Sequence, residues 1–167
     1  AIAAILASPA WAQTASASDG TVIEELIVTA QKKEESLQDV PIAVSALTGN
    51  AMKAQGIDGG RDLVQSVPNV SFQRRTTRTN FQIRGIGSQL TSVGGDDGVG
   101  IHLNNAPLTF NFIAESDFYD VERVEVLRGP QGTLYGRNAT GGVVNIITAK
   151  PTDQFAASVT GDIGNFD

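Results

Sequence analysis

The sequence predicts an α+β domain built from short strands, short helices and long loops. Three observations carry that reading. Apolar residues alternate with polar or small ones through Val40–Leu47, Val99–Leu103 and Val121–Arg128, the two-residue period of a strand. Two stretches carry helix punctuation: Thr48 stands ahead of Ala51 to Gln55 with Gly56 behind, and Arg61 to Val67 sets Leu63 and Val67 four apart before Pro68. Gly 18 in 167 residues, with aromatic content of 6%, fits loops and short strands better than a large aromatic core.

The last strand is the most informative. Val121 to Arg128 places Val124 and Val126 on one face and Arg123, Glu125 and Leu127 on the other, so a half-buried strand is expected. Gly129-Pro130 stops it, Gly132 and Gly136 loosen the chain, and Gly141-Gly142 opens a second strand, Val143 to Thr148, before Pro151. A glycine-rich connection after a strand invites a phosphate-loop reading. It fails, because neither Gly-x-x-x-x-Gly-Lys-Ser/Thr nor Gly-x-Gly-x-x-Gly is present and no clear helix is expected to follow.

Leu127-Arg128-Gly129-Pro130, Leu134-Tyr135-Gly136 and Gly141 to Thr148 resemble, residue by residue, the plug domain of TonB-dependent outer-membrane receptors. The resemblance continues through Leu47-Thr48-Gly49, Gln55-Gly56-Ile57, Asp62-Leu63 and Val67-Pro68-Asn69-Val70, and covers Glu24 to the last residue. It implies an α+β plug with a small mixed sheet, normally inside a large antiparallel transmembrane β-barrel that this sequence does not include. It also implies a place in the cell outer membrane, with plug and TonB-contacting segment facing the periplasm. The function implied is energised uptake of a scarce nutrient, most often a ferric siderophore, otherwise haem, cobalamin or an oligosaccharide.

Composition narrows the partners. Lys+Arg 12 against Asp+Glu 18 gives a net charge of -6, which offers no support for binding nucleic acid or an anionic membrane surface. Cys 0 removes disulfides and thiolate metal sites and leaves the compartment open. Ala1 to Ala7 is a small apolar run, and Ala10-Trp11-Ala12 has the small-x-small pattern of a signal-peptidase site. Cleavage between Ala12 and Gln13 is expected, with residues 1–12 a signal-peptide remnant.

Residues 13–35 are expected to form a periplasmic linker, since Gln13 to Gly20 is too polar and small to pack. Within it, residues 24–30 form a short β-prone segment flanked by charge, too short to be stable without a partner edge. On the residues alone, the first strand of the domain is the alternative reading. Ile27-Val28-Thr29-Ala30 resembles the core of the TonB box. That resemblance implies that Glu25, Leu26, Ile27, Val28, Thr29 and Ala30 bind TonB, coupled to its inner-membrane energising complex, by strand addition.

Phe72 to Arg84 brings Arg74, Arg75, Arg78 and Arg84 close in sequence, a pattern that alone denotes a solvated face. Phe81-Gln82-Ile83-Arg84-Gly85 matches the family's Ile-Arg-Gly motif. The match implies that Arg84 and Arg128 pair with glutamates on the inner wall of the receptor's own barrel, a task for which the arginine fork is suited. Asp96-Asp97 lacks a spaced set of oxygen ligands, and His102 lacks a carboxylate orienter or nucleophile, so no metal, cofactor or catalytic site is expected. Asn104-Asn105 stands where the family usually has Asp-Gly, which leaves that turn's conformation open.

Position relative to the motifs places Arg75, Arg78, Ser88, Gln89, Thr109 and Phe110 on loops facing the ligand. Residues 36–151 are expected as the plug. Residues 152–167 alternate like the start of the first barrel strand, one more soluble strand being the alternative. A periplasmic interaction module working without a barrel is the rival reading. An enzyme is disfavoured by the lack of a nucleophile–base pair, metal cluster or phosphate loop. A signal-relaying receptor is disfavoured too, because no room for its extra domain exists between Gln13 and Glu24.

Overall fold

The computed structural model describes residues 25–75, 78–87, 97–108, 117–153, 155 and 157. In chain order the strands are β1 (Ile27–Val28), β2 (Glu35–Ser36), β3 (Val44–Thr48), β4 (Val70–Arg75), β5 (Arg78–Ile83), β6 (Val99–Leu103), β7 (Ala106–Pro107), β8 (Val121–Arg128) and β9 (Gly142–Thr148). The helices are α1 (Gly49–Gln55), α2 (Gly60–Ser66) and α3 (Gly132–Tyr135). A five-stranded mixed sheet in the order β3-β8-β9-β6-β7 forms the centre, and β1-β2 and β4-β5 are separate antiparallel hairpins. Within the central sheet β6 and β9 run parallel and the other neighbours antiparallel.

The richest β-branched runs, Val124 to Val126 and Val143 to Ile147, occupy the middle of the sheet, where both faces are covered. On the first face Val124, Val126, Val144, Ile146, Val99 and Ile101 meet Met52 of α1, Leu63 of α2 and the hairpin residues Val70, Phe81 and Ile83. Each such burial contributes roughly 1.5–3 kcal/mol. The helix punctuation works as the sequence indicates. Thr48 Oγ1 accepts the Ala51 N–H at 3.2 Å, and Gly56 closes α1 in the left-handed region at φ 65°.

The second face departs from the half-buried strand expected of residues 121–128. Val124, Glu125, Val126 and Leu127 are all at 0% exposure. The reason is a cover that period-2 patterning does not reveal: Val28, Ala30 and Val40 from the N-terminal segment, with Tyr135 and Ala139, pack on Leu127 and Val143. Tyr135 reaches that face because the loop after β8 does form a helix, the single turn α3, contrary to expectation; four residues are too few to leave a periodic signal. The Asn104-Asn105 turn has φ 50° and 66°, both left-handed, as a two-residue type I′ hairpin requires, and sets Leu103 opposite Ala106.

One backbone approach tests this packing. A Cβ added to Gly142, at φ 150°, would lie 2.2 Å from Leu127 O and 2.8 Å from Ile83 Cδ1. At Gly56 it would meet nothing within 4 Å. Gly142→Ala should therefore cost about 3 kcal/mol and Gly56→Ala only about 1 kcal/mol. The urea concentration at which Leu63→Cys becomes reactive in the whole receptor reads both.

Candidate functional site: a buried polar row beneath the N-terminal segment

Strand register brings three polar side chains into line on the second face. Glu125 of β8 lies opposite Asn145 of β9, and Asn145 opposite His102 of β6. Their exposures are 0%, 0% and 2%, so each must find partners inside the protein. Asn145 turns to the β6–β7 turn: its Nδ2 donates to Asn105 Oδ1 at 3.0 Å and its Oδ1 accepts the Asn105 N–H at 3.1 Å.

Glu125 turns to the N-terminal segment. Its Oε1 accepts the Thr29 N–H at 2.8 Å, and its two oxygens take the Thr29 hydroxyl at 3.1 and 3.2 Å. The charge is balanced by Arg123, whose Nε donates to Oε1 at 2.8 Å while its Nη1 bonds Glu122. Beside this, the Tyr135 hydroxyl is shared between the carbonyls of Thr29 and Ala30, each at 3.2 Å. The tyrosine ring is fixed by the edge of His102, centroids 5.1 Å apart at 80°, and by Lys32 Nζ at 5.3 Å from its centre. Burial, then the Glu125 charge, push the Tyr135 pKa up to about 12, so this group is a permanent proton donor.

The segment read from sequence as residues 25–30 is thus docked, not extended from the fold. Val28 and Ala30 are at 0% exposure, Leu26 and Thr29 are partly buried, and Ile27 is 50% exposed. Its partner edge is β2, with Ile27 opposite Ser36 and Val28 opposite Glu35. Beside it lies a cleft of 740 Å³ whose lining includes Glu25, Ile27, Thr29, Asn104, Arg123 and Thr148.

The second pair of expected residues lies at the turns that end β5 and β8. Arg84 is exposed at φ 54° in a turn closed by paired Ile83 and Ile86 main-chain bonds, and its Nη1 lies 3.7 Å from where a Cβ on Gly129 would stand. The adjacent Arg128 keeps its Nε buried without a hydrogen-bond partner. Arg84 Nη1 thus reaches the turn that Arg128 enters. Arg75 and Arg78 form the last register pair of β4 and β5. Ala12, Gln13, Ser88, Gln89, Thr109 and Phe110 lie outside the described residues. Among the described residues, no cluster of histidine, cysteine, aspartate or glutamate could hold a metal ion.

Glu125, Tyr135 and Asn145 were not singled out as site residues by sequence reasoning. For Glu125 and Asn145, which share the row with His102, a signal existed: Val-Glu-Val, Val-Asn-Ile and Ile-His-Leu each set one polar residue inside an apolar run. Only the register shows that the three coincide.

A sequence model of the TonB-dependent receptor plug domain matches residues 36–143, more than half of the chain. The chain belongs to this plug-domain family. It is 31% identical over 168 residues to an iron-regulated outer membrane virulence protein of Vibrio cholerae, covering 93% of this chain and 24% of that protein. It is 34% identical over 145 residues to a hemin receptor of Yersinia pestis, covering 84% of this chain and 20% of that one. Among solved structures, the ferric yersiniabactin uptake receptor of Yersinia pestis superposes with a TM-score of 0.60 at 28% identity, over 68% of this chain and 18% of that chain. The plug-family chain thus spans about a quarter or less of the length of these relatives. The mixed sheet and short helices expected from the resemblance are those of the structure.

His102 gives the docked segment a pH dependence. Burial lowers its pKa from 6.5, Lys32 lowers it further, and a hydrogen bond with the Tyr135 backbone opposes both. The unfolded chain therefore binds the proton more tightly than the folded one. Stability is full above 6.5 and is lost as pH falls through the lowered value. Proteolysis of the whole receptor within residues 25–35 should accelerate from about pH 7 to about pH 5, and His102→Gln should flatten that rise.

Proposed function

We propose that this chain is the plug, with its TonB-contacting segment, of an outer-membrane receptor that imports an iron complex by energised transport. The observation that carries the reading is the position of Ile27-Val28-Thr29-Ala30: its first two residues form β1 just ahead of the family match at residues 36–143, with Ile27 half-exposed on an open cleft. A strand so placed can be offered to a partner sheet, with Glu25 to Ala30 contacting TonB and TonB drawing on its inner-membrane energising complex. The iron complex, a ferric siderophore or haem, is supported by relatives described as an iron-regulated outer membrane protein, a ferrichrome outer membrane transporter and a hemin receptor.

Signal cleavage between Ala12 and Gln13 would deliver the chain to the periplasm, and residues 152–167 would open the barrel. Arg75 and Arg78, which end the paired strands β4 and β5 and are not loop residues as the sequence suggested, are assigned with Ser88, Gln89, Thr109 and Phe110 to the ligand-facing side. Arg84 and Arg128 are assigned to carboxylates of the barrel wall. The buried, unpartnered Nε of Arg128 favours this over a module working without a barrel, because a guanidinium so placed calls for an anion from outside the plug.

Two measurements test the reading. A peptide of residues 19–35 should bind the C-terminal domain of TonB saturably in calorimetry, and Thr29→Pro, which removes an N–H from the edge a partner strand would use, should abolish binding. No binding by the native peptide would refute the TonB contact. In the whole receptor, Arg84→Ala should loosen plug seating and admit bulky antibiotics that the native protein excludes, while Arg84→Lys has a smaller effect. Unchanged permeability in both would remove Arg84 from the plug–barrel contact.

A further inference from the structure

We propose that Glu125 and Tyr135 form a clamp that withholds residues 27–30 from TonB, so that breaking these contacts sets when a partner strand can bind. The inference rests on the TonB-contact reading above and names its regulation.

Main-chain directions supply the argument. Leu37 N donates to Leu26 O at 2.9 Å, and Val28 is registered opposite Glu35. In an antiparallel pair the hydrogen-bonding direction alternates, so Leu26 and Val28 turn their N–H and C=O groups toward β2. Ile27 and Thr29 turn theirs to the other side, which is the edge an added strand must use. At Thr29 that edge is already filled. The N–H is held by Glu125 at 2.8 Å, and the carbonyl accepts Tyr135 at 3.2 Å besides its turn bond from Lys32 at 2.8 Å. Two side chains of the plug therefore stand in for a neighbouring strand.

The clamp can open without stranding a charge. When Thr29 leaves, Glu125 keeps Arg123 at 2.8 Å, and the cleft beside Thr29 and Arg123 admits water to the vacated oxygens. The Tyr135 hydroxyl remains a proton donor and needs only another acceptor. His102 holds the tyrosine ring from β6 and so acts as a positioning residue for the clamp. Opening also lifts Val28 and Ala30 from full burial, which keeps the closed form dominant.

The test uses the whole receptor. Residues 1–167 contain no cysteine, so Val28→Cys, in a background free of other thiols, reports release by its maleimide labelling rate. Tyr135→Phe removes one hydroxyl, and Glu125→Gln keeps shape while removing charge. Each should speed labelling by about tenfold, the loss of one charge-assisted or shared hydrogen bond. With Val28 restored, each should tighten binding of the TonB C-terminal domain by a similar factor. Leu63→Cys, in the other core, should stay protected in both variants. Unchanged labelling overturns the clamp, as does faster labelling with unchanged TonB affinity or labelling that rises equally at Leu63→Cys. Absence of TonB binding in native and variant receptors alike, with faster labelling at Val28→Cys, overturns instead the assignment of residues 25–30 as the TonB contact.

Discussion

A carboxylate at zero exposure between the central sheet and the N-terminal segment is the constraint on which the arrangement turns. Taking an ion out of water costs several kcal/mol unless charge and hydrogen bonds replace the solvent. Glu125 obtains both, the charge from Arg123 two residues away and the hydrogen bonds from Thr29, ninety-six residues away in sequence. The position of Thr29 is thus dictated by the solvation of Glu125. Once Thr29 is placed, Val28 and Ala30 follow it onto the sheet and complete the burial of Leu127 and Val143.

This gives the two faces of the sheet different characters. The first is packed with apolar side chains from α1, α2 and the β4–β5 hairpin, which form one continuous core with the sheet. The second is closed by a short hairpin over a polar row, where directional contacts to Glu125 and Tyr135 do much of the holding. Directional contacts break over a small displacement, whereas apolar burial declines gradually with separation.

Much of this was legible in the sequence. The capping threonine at 48, the glycine at 56, the burial of Leu63 and Val67, and the existence of strands at β3, β6, β8 and β9 follow from local rules that need no tertiary information. The Ile-Arg-Gly and Leu-Arg-Gly-Pro segments, far apart in sequence, approach each other in the fold, with Arg84 Nη1 beside Gly129. What escaped was everything set by pairing. Alternation assigned Glu125 to the face away from Val124 and Val126, correctly, but cannot say whether that face is covered. Residues 25–30 read as a strand in need of an edge, and the edge proved to be Glu35–Ser36, hidden because its run of charged neighbours resembles a solvated link. Tyr135 was counted within a motif, and only the single turn of α3 shows why a tyrosine belongs there.

The order of strands across the central sheet bears on how the chain is made. β3, at residues 44–48, pairs with β8, at 121–128, and β6 pairs in parallel with β9, at 142–148. Neither of these early strands has a partner in the sheet's interior until the final third of the sequence exists. Such non-local pairing makes folding slow, because loop-closure entropy must be met before any ladder bond repays it. A chain emerging from the ribosome amino end first therefore carries its early strands without a sheet to join. The two early strands thus stay extended and unpaired for most of the time the chain takes to be made.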